Sequence, residues 1–355
     1  MILTRTAQRF ARPRLPLAAR RAYRLAISTS LVLAMAYGLG LAIPFVAPLF
    51  VVILSAKPAP PPGPKQLLLL LAVVMVSLGV GVFLGPLLQG APLPALAIII
   101  AGLYLSSRLA LQPGKAAVGT LLALGVTVIA AASSISPTLA SMLISTLVVG
   151  IALAVLGQWL VYPFFPEDPA PKMTAPESGA VVDAHWLCWR ATAIVLPAFL
   201  LTLTNPAAYL PLTVKSILLG REASQLSLRE ASREMIGSTL LGGCCAIVVW
   251  SLLSLAVNLW FYFSWMLLMC LLLASAMYGA WRTGLKPSFW MATMTTMIIL
   301  LGAAVQDSAN GKDVYQAFLV RMALFLAVAV YAGAAMAMLE YWRARKIQHL
   351  RNSGR

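Results

Sequence analysis

Apolar residues along this chain come in long unbroken runs, neither alternating with polar ones nor confined to one helical stripe. Such runs predict helices that are apolar all round, and about 20 residues at ~1.5 Å each cross a ~30 Å hydrocarbon core. The pattern marks segments at 25–43, 44–55 (short), 66–88, 93–111, 116–133 and 138–162. A polar, proline-rich stretch, 163–185, follows. Further segments lie at 186–204, 206–219 (short), 235–257, 261–281, 289–305 and 314–339, with a charged connector at 220–234. The expected fold is all-α: a polytopic helical membrane protein of about twelve transmembrane segments. Its expected parts are a basic amino terminus (1–24), a six-span unit (25–162), a linker (163–185), a second six-span unit (186–339) and a basic tail (340–355).

Composition sharpens this picture. Of 355 residues 61% are hydrophobic and 10% charged, against roughly 25% charged in globular chains. Spans of about 20 residues leave no room for a sizeable soluble domain, which excludes a membrane-tethered enzyme. The formal charge of +16 would suit a nucleic-acid partner only if the basic residues shared one folded surface. Instead they lie between apolar segments, so no nucleic acid is expected. Cys188, Cys244, Cys245 and Cys270 all fall in apolar runs without a CxxC spacing or a nearby histidine, and read as packing residues.

The first 24 residues hold seven arginines and no acid, ahead of the run 25–43. That run is too long for a cleaved signal peptide. A mitochondrial presequence fits the composition, but an uncleaved first span with a cytoplasmic basic anchor is the simplest reading. Threading the segments from a cytoplasmic amino terminus puts every basic residue except Lys312 and Arg321 on the inner side, as the positive-inside rule requires, with both termini cytoplasmic.

The two halves share an order: a full span, a short proline-containing span, then four full spans. YLSSRLALQP from Tyr104 aligns with YGAWRTGLKP from Tyr278, matching Tyr104/Tyr278, Arg108/Arg282, Leu111/Leu285 and Pro113/Pro287. An even span number per half makes the repeats parallel, with a pathway near a pseudo-two-fold axis along the membrane normal. The short segments pair Pro44 and Pro48 with Pro206 and Pro211. They read either as helix breaks whose half-helix amino termini favour an anion, or as tilted hairpins that only pack.

Ionisable residues within spans ask for a reason. Lys215, one turn beyond Pro211, either holds a carboxylate or snorkels to the inner surface. Arg108 and Arg282, each one turn from its tyrosine, Tyr104 or Tyr278, either guide an organic anion or anchor a helix end. Arg321 breaks the orientation rule, with Asp307 and Asp313 as partners: a structural ion pair or, in proton-coupled transport, a proton-carrying group centred on Asp307. Gly81 and Gly85 form a small-xxx-small pair for close helix packing. No P-loop or HExxH occurs, and His185 and His349 lie outside the spans, so no metal, cofactor, ATPase or metallohydrolase is expected.

The arginine-led first span (RRAYRLAISTSLVLAMAYGLGL), the immediate short span (AIPFVAPLFVVIL) and LREASREMIGSTLLGG in the second half together resemble the fusaric acid resistance/aromatic acid exporter superfamily. Its signature would be carried here by Arg229, Arg233, Gly237, Thr239 and Gly242, and the chain looks most like a small bacterial inner-membrane branch of unknown function. The resemblance implies export of aromatic carboxylic acids or related organic anions across the inner membrane, beside a periplasmic membrane-fusion protein of the HlyD type. Larger members carry a long cytoplasmic domain between their halves; with only the 163–185 linker here, regulation attributed to that domain does not carry over. A passive anion channel is the first alternative, and a non-transporting membrane scaffold the second.

Overall fold

The computed structural model describes residues 15–55, 60–112, 115–168, 184–223, 228–309, 311 and 313–353. All regular structure among them is helical. In chain order the helices are α1 (Leu17–Gly38), α2 (Val46–Leu54), α3 (Pro64–Gly90), α4 (Pro92–Ala110), α5 (Ala116–Ile135), α6 (Pro137–Val161), α7 (Ala184–Thr204), α8 (Pro206–Ala223), α9 (Leu228–Leu253), α10 (Leu259–Met277), α11 (Pro287–Ala309) and α12 (Val314–Ser353). Nine of those described, α3 to α7 and α9 to α12, contain a stretch long and apolar enough to cross a membrane. This is a multi-pass membrane protein.

Proline does much of the punctuation. Helices α3, α4, α6, α8 and α11 open on one, where the missing N–H has no intrahelical partner to lose. Side chains cap others: Asn258 accepts from Phe261 N at 2.7 Å to start α10. Gly40, at φ +64°, turns the chain between α1 and α2.

Several expected boundaries move. The break foreseen at Pro211 does not occur, because α8 runs through it; so near the helix start a proline removes one backbone bond and the neighbouring packing absorbs it. The discontinuity lies instead just before Pro206, and in the first half between Gly38 and Val46, with Pro48 in the first turn of α2. The charged connector 220–234 is helical on both sides of residues 224–227, and α12 extends 14 residues past the expected span end at 339. Arg, Lys, Leu and Ala keep high helix propensity after hydropathy has fallen away. Lys57, Pro113, Lys312, the arginines before residue 15, linker residues 169–183, and the side chains of Arg229 and Arg233 lie outside the described residues or side chains.

Helix α1 packs on α2, α6 and α10; α4 packs on α5 and α7; α3 on α5 and α6; α9 on α11 and α12; and α7 on α8 and α12. The short helices reach across as well, α2 against α11 and α8 against α5. Close approach of α3 and α5 depends on glycine: a Cβ at Gly81 would collide with the Gly125 carbonyl and one at Gly85 with Ser133. Directly there, Gly125–Ile129 forms a π-helical turn within α5, a feature frequent at functional sites.

One end of the bundle is fastened by charge. Arg20 donates to Asp168 at 2.7 Å, Arg24 to Glu167 at 2.9 Å, and Arg21 also to Glu167, tying the start of the linker to α1. Burial pushes the Glu167 carboxyl up, but hydrogen bonds and charge from Arg21 and Arg24 outweigh it and hold it below the ordinary value.

Candidate functional site: a cavity between the short helices

The two short helices face one void. Val46, Phe50 and Ile53 of α2 and Leu210, Val214 and Ile217 of α8 line it, each set at i, i+4, i+7 spacing, so one stripe of each helix is committed to the same space. Thr120, Leu124 and Val128 of α5, Leu143, Thr146 and Leu147 of α6, and Ile299 and Ala303 of α11 complete an apolar wall. The cavity measures about 160 Å³. An apolar cavity of about 150 Å³ is enough to take a benzene-sized ligand.

Polar groups converge at one end. Gln306 lines the cavity and donates from Nε2 to the Ala42 carbonyl at 2.8 Å, tying α11 to the α1–α2 turn. Arg321 of α12 also lines it, and its Nη1 donates to Asp307 Oδ2. Asp307 is 4% exposed, so the pair is largely desolvated and its two charges cancel. The cavity therefore offers directional donors rather than a net positive field. This matches the general make-up of small-molecule sites, a mostly apolar surface with few, placed polar groups.

The other candidate residues are distributed as follows. Lys215 is 1% exposed; it lies off the cavity lining and donates to Thr296 Oγ1 of α11, whose own hydroxyl donates to the Ala292 carbonyl at 2.7 Å. Pro211 lines the cavity, whereas Pro44, Pro48 and Pro206 are buried around the starts of the short helices. Arg108 is exposed in the last turn of α4 and Arg282 is exposed between α10 and α11. Their tyrosines bridge helices: Tyr104 bonds His185 and packs on Trp189, with ring centroids 5.3 Å apart, both at the start of α7. Tyr278 donates to the Ser55 carbonyl after α2 at 3.0 Å. Asp313 caps α12, accepting from Tyr315 N at 3.0 Å, while Arg321 is held by Asp307.

Gln306, Thr120 and Thr146 escape a reading of the sequence. For Gln306 a signal existed, since an amide beside Asp307 at the end of an apolar run is costly without partners. Threonines are too common in spans to stand out. The resemblance residues Gly237 and Gly242 are packing positions: a Cβ at Gly237 would press on the Phe289 ring, and one at Gly242 would overlap Thr293 and Thr296 of α11.

Among described residues no cluster of three or more metal-ligating side chains occurs, and the four cysteines are free thiols. Comparison with protein families matches residues 21–161 to a family described as "Protein of unknown function (DUF2955)". The match spans α1 to α6 with the first of the two short helices. No curated protein matches the chain.

Proposed function

We propose that the chain is a secondary transporter of the bacterial inner membrane that exports small organic, chiefly aromatic, acids, with its movement linked to that of protons. In this reading it has twelve spans in two parallel six-span repeats, with both termini cytoplasmic. The repeat draws support from the pairing of helices. The contacts α1–α2, α1–α6, α2–α6, α3–α5, α3–α6 and α4–α5 recur as α7–α8, α7–α12, α8–α12, α9–α11, α9–α12 and α10–α11. Across the halves, α1–α10 answers α4–α7 and α2–α11 answers α5–α8. A shift of six helices maps every one of these pairs onto its counterpart, as a two-fold axis would.

The observation that carries the transport reading is the cavity itself, apolar and benzene-sized, set between the two short helices with a guanidinium and an amide at one end. An aromatic ring is accommodated by the aliphatic wall. Its carboxylate has one charged donor to approach, Arg321, which Asp307 already occupies. When a substrate carboxylate takes the guanidinium, Asp307 loses that ion pair in a largely buried position, and uptake of a proton by its carboxyl offsets the cost. Loading and protonation are thereby linked through one pair. The resemblance to aromatic acid exporters supports the same substrate class and a HlyD-type periplasmic partner.

The test is transport of labelled 4-hydroxybenzoate in proteoliposomes under imposed pH gradients. Saturable flux that changes with the gradient, and loses that dependence in Asp307→Asn, is expected. Ohmic anion current indifferent to the gradient would instead identify a channel, and no flux under any gradient would favour a scaffold.

A further inference from the structure

The cavity has neighbours. A smaller void of about 40 Å³ lies where α4, α5, α7 and α8 meet, lined mainly by small residues such as Ser107, Ala110, Gly119, Ala191 and Gly220. Another of about 20 Å³ lies against Phe50, Leu70 and Ile151. Thr120 borders all three voids, and Ile217 borders both the cavity and the α4–α7 void. The partition between the cavity and the α4–α7 void is thus one side chain thick.

Among the described residues no hydrogen bond of Thr120 crosses that partition. The Thr120 hydroxyl donates back to the Ala116 carbonyl of its own helix at 2.9 Å, so it makes no described bond to α4, α7 or α8. Small side chains on the far side let α4 and α5 approach closely, a Cβ at Gly119 colliding with Ser106 and Ala110, so what lies between the two spaces is the Thr120 and Ile217 side chains. The π-helical turn Gly125–Ile129 begins one turn further along α5, and such turns interrupt the regular bonding that keeps a helix stiff. A modest rotation of Ile217, with the Thr120 hydroxyl kept on the Ala116 carbonyl, joins the two spaces without exposing an unpaired polar group.

We propose that Thr120, with Ile217 opposite, is the gate between the cavity and the α4–α7 void, and that solute passes along this side of the molecule at the end away from Arg321. The proposal rests on the transport reading but concerns its route, and the experiment separates the two. Purified chain in detergent, with Cys188, Cys244, Cys245 and Cys270 replaced by alanine, carries Thr120→Cys and is treated with a small methanethiosulfonate reagent. Modification is expected, and adding Ala110→Trp, which fills the α4–α7 void, should slow it by roughly an order of magnitude because close-packed interiors leave no detour. Ile43 lines the cavity next to Ala42, at the polar end, and adding Ile43→Trp should leave the rate unchanged.

Ile217→Cys serves as a second reporter should Thr120→Cys fail to purify as a monodisperse species, and Leu285→Cys, on an exposed position in the connection between α10 and α11, gives the reference reactivity. No modification of either reporter, or slowing by Ile43→Trp rather than Ala110→Trp, overturns the route. Flux of 4-hydroxybenzoate with unreactive reporters would reject the gate and leave transport standing. Reactive reporters without flux would do the reverse.

Discussion

At one end of the cavity an ion pair and an amide close the space; at the other, Thr120 and Ile217 do so by packing alone. The polar closure is directional. In a low dielectric each of its bonds is strong when made and expensive when half made. The apolar closure exchanges only dispersion contacts, which are individually about 0.1–0.2 kcal/mol. The contrast teaches where directional bonds hold the cavity and where packing alone does: Arg321, Asp307 and Gln306 hold α11 and α12 to the α1–α2 turn, while α5 faces α8 across Thr120 and Ile217, the proposed gate.

Breaking the polar end should have the largest effect. Arg321→Met removes one side of a largely buried ion pair and should destabilise the chain by roughly 3–5 kcal/mol, with much of that recovered in the Asp307→Asn/Arg321→Met double variant. Chemical denaturation in detergent followed by helical circular dichroism measures both. A loss below about 1 kcal/mol would put the pair in the class of exposed salt bridges and erase the contrast.

Gln306→Ala comes next. It removes the bond to the Ala42 carbonyl and should cost about 0.5–1.5 kcal/mol in the same assay. At the apolar end, Ile217→Val should sit near the bottom of the usual ~0.5–1.5 kcal/mol range for this change, since the side chain already borders voids. An Ile217→Val cost exceeding that of Gln306→Ala would show that the apolar end is the better-packed one.

The smallest expected effect lies away from the cavity, at Glu167. Its carboxyl is held below the ordinary value in the folded chain, so its contribution to stability is complete above the unfolded value of roughly 4.3 and is lost as pH falls through the folded value. Wild type should therefore lose stability relative to Glu167→Gln over that acidic window, by less than about 1 kcal/mol, because Arg21 and Arg24 remain partly exposed. Parallel pH titrations of unfolding check it.

Much of the architecture is legible in the chain because lipid leaves few options: long apolar runs must satisfy their backbone internally and so become helices. The Asp307–Arg321 pair was traceable for a related reason, since an arginine on the wrong side of the orientation rule needs a counter-charge nearby. The direction in which Lys215 points was not. Its place on α8 follows from the sequence, but whether that face meets the cavity or α11 depends on how helices far apart in the chain pack together. Pro211 misled because a proline removes one backbone hydrogen bond without ending a helix that its neighbours hold in place, as Pro86 within α3 and Pro197 within α7 also show. The π turn in α5 and the junction at Thr120 leave no compositional trace, as both arise from the register of one helix against its neighbours.

The central claim is that the space between α2 and α8 is the binding site for a small aromatic anion. The most direct measurement is equilibrium binding of radiolabelled 4-hydroxybenzoate to the purified chain, compared with Leu147→Trp, which places a large ring in the cavity wall and touches neither Arg321 nor Asp307 as the described contacts stand. The account predicts saturable binding to the wild type and at least roughly tenfold weaker binding, about 1.4 kcal/mol, to a Leu147→Trp chain that still purifies as a folded, monodisperse species. Equal affinity in the two would contradict it.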